Sequence, residues 1–101
     1  MASADDWSFE CQPLEQEGYF FYHEGSRELP FRWELGGGDV VVIVGIDEPD
    51  NFALRHPWAV ERKREIFERV AQELIRQRAP TCRAEIDDQE LCIYVRKRIA
   101  A

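Results

Sequence analysis

The sequence has no long hydrophobic run. Its longest uninterrupted apolar stretch, Val40–Ile46, is much shorter than the ~20 residues that a membrane-spanning helix needs. Residues 1–6 contain neither the basic region nor the apolar segment with which a secretion signal begins. We therefore expect a cytoplasmic protein that has no membrane partner.

Cysteine is also scarce, and its three copies follow no functional spacing. Cys11, Cys82 and Cys92 form neither a Cys-x-x-Cys pair nor a metal-ligand pattern. An odd number of cysteines in a chain without a secretion signal favours reduced thiols that are buried as small apolar groups. The sequence thus predicts neither a disulfide framework nor a metal site.

Motifs of the common catalytic and cofactor-binding classes are missing too. The chain contains no Gly-x-Ser-x-Gly, His-Glu-x-x-His or Walker motif, and its only histidines are His23 and His56. The three glycines at 36–38 precede a predicted strand, whereas a phosphate-binding loop leads into a helix N-terminus. We therefore expect a protein without catalytic residues or a cofactor.

Basic residues are outnumbered by acidic ones. The 101 residues include 13 Lys and Arg against 20 Asp and Glu, which gives a net charge of −7. Residues 1–56 have twelve acids and three bases (−9), whereas residues 57–101 have eight acids and ten bases (+2). This distribution argues against nucleic-acid binding and fits a basic protein partner, although acidity also serves simply to keep a protein in solution.

What the sequence does contain is one strong helix pattern, over residues 57–78. Apolar side chains recur there at i, i+3, i+4, i+7 and i+8, which places them on one stripe of a helix. These side chains are Phe67, Val70, Ala71, Leu74 and Ile75. Pro57 suits the first helical position, and Pro80 ends the helix by disfavouring helical geometry at the residue before it. The opposite face interleaves arginines and glutamates, as ordinary surface helices do.

The other periodic segments predict β-strands. They cover residues 19–23, 29–35, 40–46, 83–86 and 91–95. The glycines at 36–38 supply a hairpin turn. Residues 1–17 are predicted as an arm or an irregular edge segment, within which the alternation over Trp7–Cys11 fits a short strand. Pro30, near the start of its strand, predicts an edge position or a bulge.

Together these segments predict a single α+β domain over residues 1–101. We expect a mostly antiparallel sheet of about five strands, in the order β-β-β-α-β-β with an optional N-terminal strand, and one long helix packed on one face. Five strands span roughly 20–24 Å, whereas a helix is about 10–12 Å wide. Because Val40–Ile46 and residues 19–22 look apolar on both faces, the helix leaves apolar surface uncovered. We expect a homodimer or a protein partner to cover that surface.

The connection over residues 47–56 is the best candidate for a site. It is long for a strand-to-helix joint, and a short helical turn capped by Asp50 is predicted within it. The candidate binding residues combine carboxylates, an imidazole and an indole: Asp47, Glu48, Asp50, His56 and Trp58. Phe52 and Leu54 would complete apolar walls. The carboxylates lack the spacing of a calcium loop.

Two functions compete at this point. The first is a noncatalytic protein-interaction domain, of which a toxin-neutralising immunity protein or another inhibitor is a concrete form. Its basis is charge complementarity with a basic partner. The second is a small-molecule-binding protein or enzyme whose pocket lies at residues 47–56. No motif links the chain to a family of either class.

Overall fold

The computed structural model describes residues 7–11 and 18–98. Its strands are β1 (Trp7–Cys11), β2 (Gly18–Glu24), β3 (Arg27–Leu35), β4 (Val40–Ile46), β5 (Cys82–Asp87) and β6 (Cys92–Lys97). Between β4 and β5 lie a 3₁₀ turn (Pro49–Asn51) and the helices α1 (Phe52–Arg55), α2 (Pro57–Val60) and α3 (Lys63–Arg78). Residues 1–6, 12–17 and 99–101, and with them most of the predicted N-terminal arm, lie outside the described residues.

All six strands belong to one curled antiparallel sheet, in the order β1-β2-β3-β4-β6-β5. The long helix α3 packs against one face of this sheet. The predicted α+β class, with its antiparallel sheet and one long helix, is therefore confirmed. The alternation near the N-terminus forms β1, which pairs with β2 from Trp7 opposite Glu24 to Cys11 opposite Phe20.

The hydrophobic core lies between α3 and the sheet. Five residues on one side of α3 are buried, and all of them lie on the predicted stripe or on its extension toward the helix start: Ile66, Phe67, Val70, Ala71 and Leu74. Alternate strand residues meet them, because successive side chains of a strand point to opposite faces. The largest of these include Phe20, Tyr22, Leu29, Phe31 and Ile93. Burying one large apolar side chain stabilises a fold by about 1.5–3 kcal/mol, so this layer holds the helix on the sheet.

The long helix begins later than predicted. The segment predicted as one helix from Pro57 is divided, since α2 ends at Val60 and α3 begins at Lys63. Arg62, between them, has φ −110° and ψ 10°, outside helical geometry. Its guanidinium contacts Glu24 on β2 instead. None of the described helices combines the length and the apolarity needed to cross a membrane.

Pro30 does not occupy the position predicted for it. Its strand, β3, lies between β2 and β4, so the edge prediction is wrong. Pro30 pairs with Phe21 of β2, whereas the ladder between β3 and β4 starts one residue later, at Phe31 and Ile46. The N–H of Asp47 donates to the carbonyl of Pro30 over 3.1 Å where the chain leaves the sheet. The missing N–H of the proline therefore removes no bond from the ladder with β4.

The hairpin turn at the three glycines matches the prediction. Gly38 has φ +64°, a conformation that glycine adopts without a steric penalty. The N–H of Val40 donates to Gly37, and the N–H of Gly36 donates to Val41, each over 3.1 Å. These two bonds close the turn between β3 and β4.

The second face of the sheet, which we call the open face, differs from the helix side. The strand residues of the buried core lie on the helix side. Apolar side chains of the open face are only half-buried: Tyr19, Phe21, Ile43, Cys92 and Tyr94. The expectation that Val40–Ile46 is buried on both faces is thus wrong, and Val41 is 38% exposed. The sheet presents more apolar surface than α3 covers.

Candidate functional site

The five candidate binding residues lie on the connection between β4 and α3, and the structure does not join them into one site. Across residues 7–11 and 18–98, none of the five is hydrogen-bonded to or ion-paired with another. Glu48 has φ 52°, which is uncommon for a residue other than glycine. Its carboxylate lies 2.6 Å from Arg55 Nη1, and both side chains are largely exposed.

Asp50 does not cap a helix as predicted. It lies inside the 3₁₀ turn Pro49–Asn51 and is exposed. The residues that precede the turn and α1 are Glu48 and Asn51, and neither makes a side-chain capping bond in the described chain. A capping aspartate must precede the first helical residue, and the turn begins before Asp50.

His56 is half-buried at the end of α1. Its N–H donates to the carbonyl of Phe52 over 2.8 Å, and the two ring centres are 6.4 Å apart. Burial, and then the charge of Arg55, lowers the pKa of His56, so its imidazole is neutral at pH 7. A neutral imidazole suits a metal ligand, but the described residues contain no group of three His, Cys, Asp or Glu side chains placed to hold a metal.

Trp58 connects α2 to the hairpin of β2 and β3. The guanidinium carbon of Arg27 lies 5.3 Å from the centre of its indole, a cation–π contact. The indole also packs partly against the hydrophobic core. Trp58 therefore fixes the connection on the sheet, which is a structural role.

A concave feature lies on the open face. A groove of about 470 Å³ runs over β4 and β6, between Arg32 on β3 and Pro49 in the 3₁₀ turn. Its floor includes Gly45 of β4, and because this residue has no side chain, the sheet is hollow there. A Cβ at Gly45 would contact Leu91 and Cys92 at 3.4 and 3.5 Å, so a side chain there would fill the groove without a clash. None of the five candidate residues lines it.

Beside this groove, β2 carries a row of rings on the open face. Tyr19 stacks on Phe21 and Phe21 stacks on His23, each pair with ring centres 6.4 Å apart. Arg32 lies over Tyr19 at 5.6 Å. Because residues i, i+2 and i+4 of a strand share one face, this row extends the half-buried surface beyond the groove.

The thiol in the groove is not a reactive cysteine. Burial raises the pKa of Cys92. A hydrogen bond with Tyr94 lowers this pKa, but it offsets only part of the rise. The thiolate is the nucleophilic form, so a thiol with a raised pKa is inert at neutral pH. Cys82 is buried on the helix side and is free. The described cysteines therefore pack as apolar groups.

A cluster of charged residues joins β2 to the region where α3 begins, and it too is structural. Glu24 accepts from Arg62 Nη2 over 2.9 Å and from Arg69 Nη1 over 3.2 Å. The hydroxyl of Tyr22 donates to Glu24 over 2.7 Å and accepts from Arg69 over 2.9 Å. Burial raises the pKa of Tyr22 to about 12. Both carboxylate oxygens of Glu24 therefore accept hydrogen bonds from within the chain.

The groove residues were missed by the sequence reasoning. The one signal for them is Gly45, which interrupts the apolar strand β4, since an interior strand glycine often marks a close approach of another group. Arg32 and Tyr94 meet across the groove only because β3, β4 and β6 are neighbours. That strand order is not encoded in any local spacing.

Comparison with known proteins adds no assignment. No protein-family model, no curated protein and no solved structure matches this chain.

Proposed function

We propose that this protein is a noncatalytic protein-binding domain that holds a basic protein partner against the open face of its sheet. The observation that carries this proposal is the half-buried row of Tyr19, Phe21 and His23, which continues into the groove lined by Arg32 and Tyr94. Tyrosine and arginine are, with tryptophan, the residue types most enriched at the energetic centres of protein interfaces.

The charge of the chain favours a basic partner. The net charge of −7 accelerates the encounter with a basic protein and makes it sensitive to salt. The arginine of β6 in the open face is already neutralised, since Arg96 lies 3.3 Å from both Asp39 and Glu85. An immunity protein or another inhibitor acting in the cytoplasm is the concrete form of this proposal.

The test compares two substitutions that place the same charge on different surfaces. Phe21→Asp changes the open face, whereas Leu54→Asp changes α1, where Leu54 is 82% exposed. Each tagged variant and the wild type are used to capture proteins from the native cell at about 50 mM salt, where surface charges are weakly screened. We expect one basic protein to bind the wild type and Leu54→Asp, to be lost from Phe21→Asp, and to dissociate as salt rises.

Arg32→Ala supplies a second open-face variant that adds no acidic charge, because Arg32 is exposed and its truncation leaves the core intact. It should lose the same partner, with an unchanged urea midpoint. Equal capture by the wild type and by both open-face variants would contradict the proposal. Loss of the partner from Leu54→Asp alone would move the interface to the connection between β4 and α3.

A small-molecule-binding protein is the second candidate, and the volume of the groove favours it. Ligand pockets measure roughly 300–1,000 Å³, and the groove has about 470 Å³. A ligand raises the melting temperature by mass action, so a thermal-shift screen over metals, nucleotides and metabolites tests this function. Loss of a shift in Gly45→Val would place the ligand in the groove, and loss in His56→Ala would place it at the connection.

A further inference from the structure

The helix side of the sheet has a cavity of its own at the end of α3, with a volume of about 140 Å³. Residues of β2, β3 and β4 line it from the sheet, and Leu74, Arg78 and Ala79 line it from the end of the helix. Among the described residues that line it, Arg78 is the one with a charge, and it already has an interaction partner. Neither Gly45 nor the connection between β4 and α3 contributes to this cavity, so it is separate from both sites considered above.

The border of this cavity toward solvent is also apolar. Leu35 is 78% exposed and Val41 is 38% exposed, and both line the cavity. The pairing of β4 with β6 is irregular between Val40 and Val42, and the two successive residues Val41 and Val42 both line the cavity. In a regular strand, successive side chains point to opposite faces, and a bulge re-aims one of them. An apolar border of this kind favours the entry of an apolar compound.

We propose that this cavity binds one small, uncharged aromatic compound. Its volume fits a single ring, since an engineered apolar cavity of about 150 Å³ in another protein binds benzene. Two of its walls are aromatic, because Phe20 and Trp33 line it and stack on each other with ring centres 6.3 Å apart. A ring bound against these walls would gain aromatic contacts in addition to the burial of its own surface.

The polarity of the walls disfavours the other classes of ligand. The side chains of Phe20, Val42 and Leu74 offer no hydrogen bond, so an ionised compound would lose its hydration in the cavity without compensation. Water competes weakly for such a site, since an apolar cavity of this size stays dry. The cavity lies on the helix side of the sheet, so this proposal does not depend on the protein partner proposed above for the open face.

Thermal unfolding of the full chain with small aromatic compounds tests the site. For a ligand as small as toluene we expect a dissociation constant of about 0.1–1 mM. About 5 mM toluene should therefore raise the melting temperature of the wild type by at least about 2 °C. Benzoate, the charged analogue, should give no rise at the same concentration. Phenol should raise the melting temperature more than cyclohexanol, which has a similar size but no aromatic ring to contact Trp33.

Two substitutions that fill the cavity locate the ligand. Val42→Phe adds volume from the sheet and Ala79→Leu adds it from the end of the helix, so each folded variant should lose the rise with toluene. Gly45→Val is the matched control, because it fills the groove on the open face and should keep the rise. Circular dichroism establishes that a variant is folded, and the two filling positions lie on different elements, so either one decides if the other fails to fold. The proposal is overturned by a wild type that shows no rise, by a folded filling variant that keeps it, by loss of the rise in Gly45→Val, or by equal rises within either pair of compounds.

Discussion

The guanidinium of Arg62 and the carboxylate of Glu24 form a two-point ion pair between the break that precedes α3 and strand β2. Arg62 Nη2 donates to Glu24 Oε2 over 2.9 Å, and Arg62 Nη1 donates to Oε1. The side chain of Arg62 is 30% exposed and that of Glu24 is 11% exposed. Arg62 Nε also donates to Glu65 over 3.0 Å, so the same guanidinium holds the first turn of α3. This pair holds the break between α2 and α3 against the sheet.

Replacing Arg62 by methionine should destabilise the protein by about 1–3 kcal/mol, because Glu24 would keep a charge with little solvent and one fewer partner. The measurement is the free energy of unfolding in urea. Arg64→Met is the matched control. Arg64 pairs with Glu68 across an exposed turn of α3 and lies 3.8 Å from Asp88, all on the surface, so its loss should stay within about 0.5 kcal/mol. Equal losses in the two variants would contradict a structural role for the pair.

Glu24 should also make stability depend on pH. Hydrogen bonds from Arg62, aided by the hydroxyl of Tyr22 and opposed by burial, lower the pKa of Glu24. A carboxyl whose pKa is lower in the folded state stabilises the fold above its unfolded pKa, and this contribution disappears as pH falls through the folded value. The urea midpoint of the wild type should therefore fall from about pH 5 downward, and Glu24→Gln should flatten this slope.

The control for this prediction is Glu73→Gln. A hydrogen bond from Arg76 lowers the pKa of Glu73 as well, but Arg76 is 68% exposed and solvent screens the pair. Glu73→Gln should therefore change the pH dependence of the urea midpoint less than Glu24→Gln does. A larger change in this pH dependence from Glu73→Gln than from Glu24→Gln would show that the cluster around Glu24 does not govern the loss of stability at low pH.

The helix and the strands could be predicted from the sequence because their signals are local. The stripe through Phe67, Val70 and Leu74 has the period of a helix, and one buried face is enough to produce it. The break at Arg62 could not be predicted, because the residue that its side chain contacts, Glu24, is 38 residues away along the chain. The helix propensity of the surrounding segment is good, and a tertiary contact overrides it.

The candidate site was harder to predict for the same physical reason. A long polar connection is a local signal and favoured residues 47–56, but the candidate side chains there are neither hydrogen-bonded to nor ion-paired with one another. The groove depends on the pairing of β4 with β6, which places Gly45 beside Cys92. Strand order is set by the packing of the whole sheet, so a single strand does not reveal which residues will lie side by side.

Two substitutions on α3 test the core. Leu74 is 1% exposed, and Leu74→Asp would bury a charge between α3 and the sheet, which should unfold the protein or destabilise it by more than about 4 kcal/mol. Gln72 lies two residues earlier on the exposed side, so Gln72→Asp should cost less than about 1 kcal/mol. Circular dichroism and urea unfolding measure both. Similar stabilities of the two variants would show that the buried stripe of α3 is misplaced.

The final prediction concerns Gly18, which lies opposite Trp33 in the pairing of β2 with β3. The indole of Trp33 occupies the space that a side chain at position 18 would take, and a Cβ there would overlap the ring. The same indole stacks on Phe20, with ring centres 6.3 Å apart. Gly18→Ala should therefore displace Trp33 into solvent, lower the unfolding free energy by about 1–3 kcal/mol and shift tryptophan fluorescence to the red.

Gly37→Ala is the control, because nothing lies within 4 Å of a Cβ at that position. It should leave the fluorescence unchanged and the stability within about 0.5 kcal/mol. A double-mutant cycle with Trp33→Ala isolates the cause. If the indole is the obstacle, Gly18→Ala costs much less in the Trp33→Ala background, because the colliding ring is gone. An equal cost in both backgrounds would instead assign the loss to the backbone of β2.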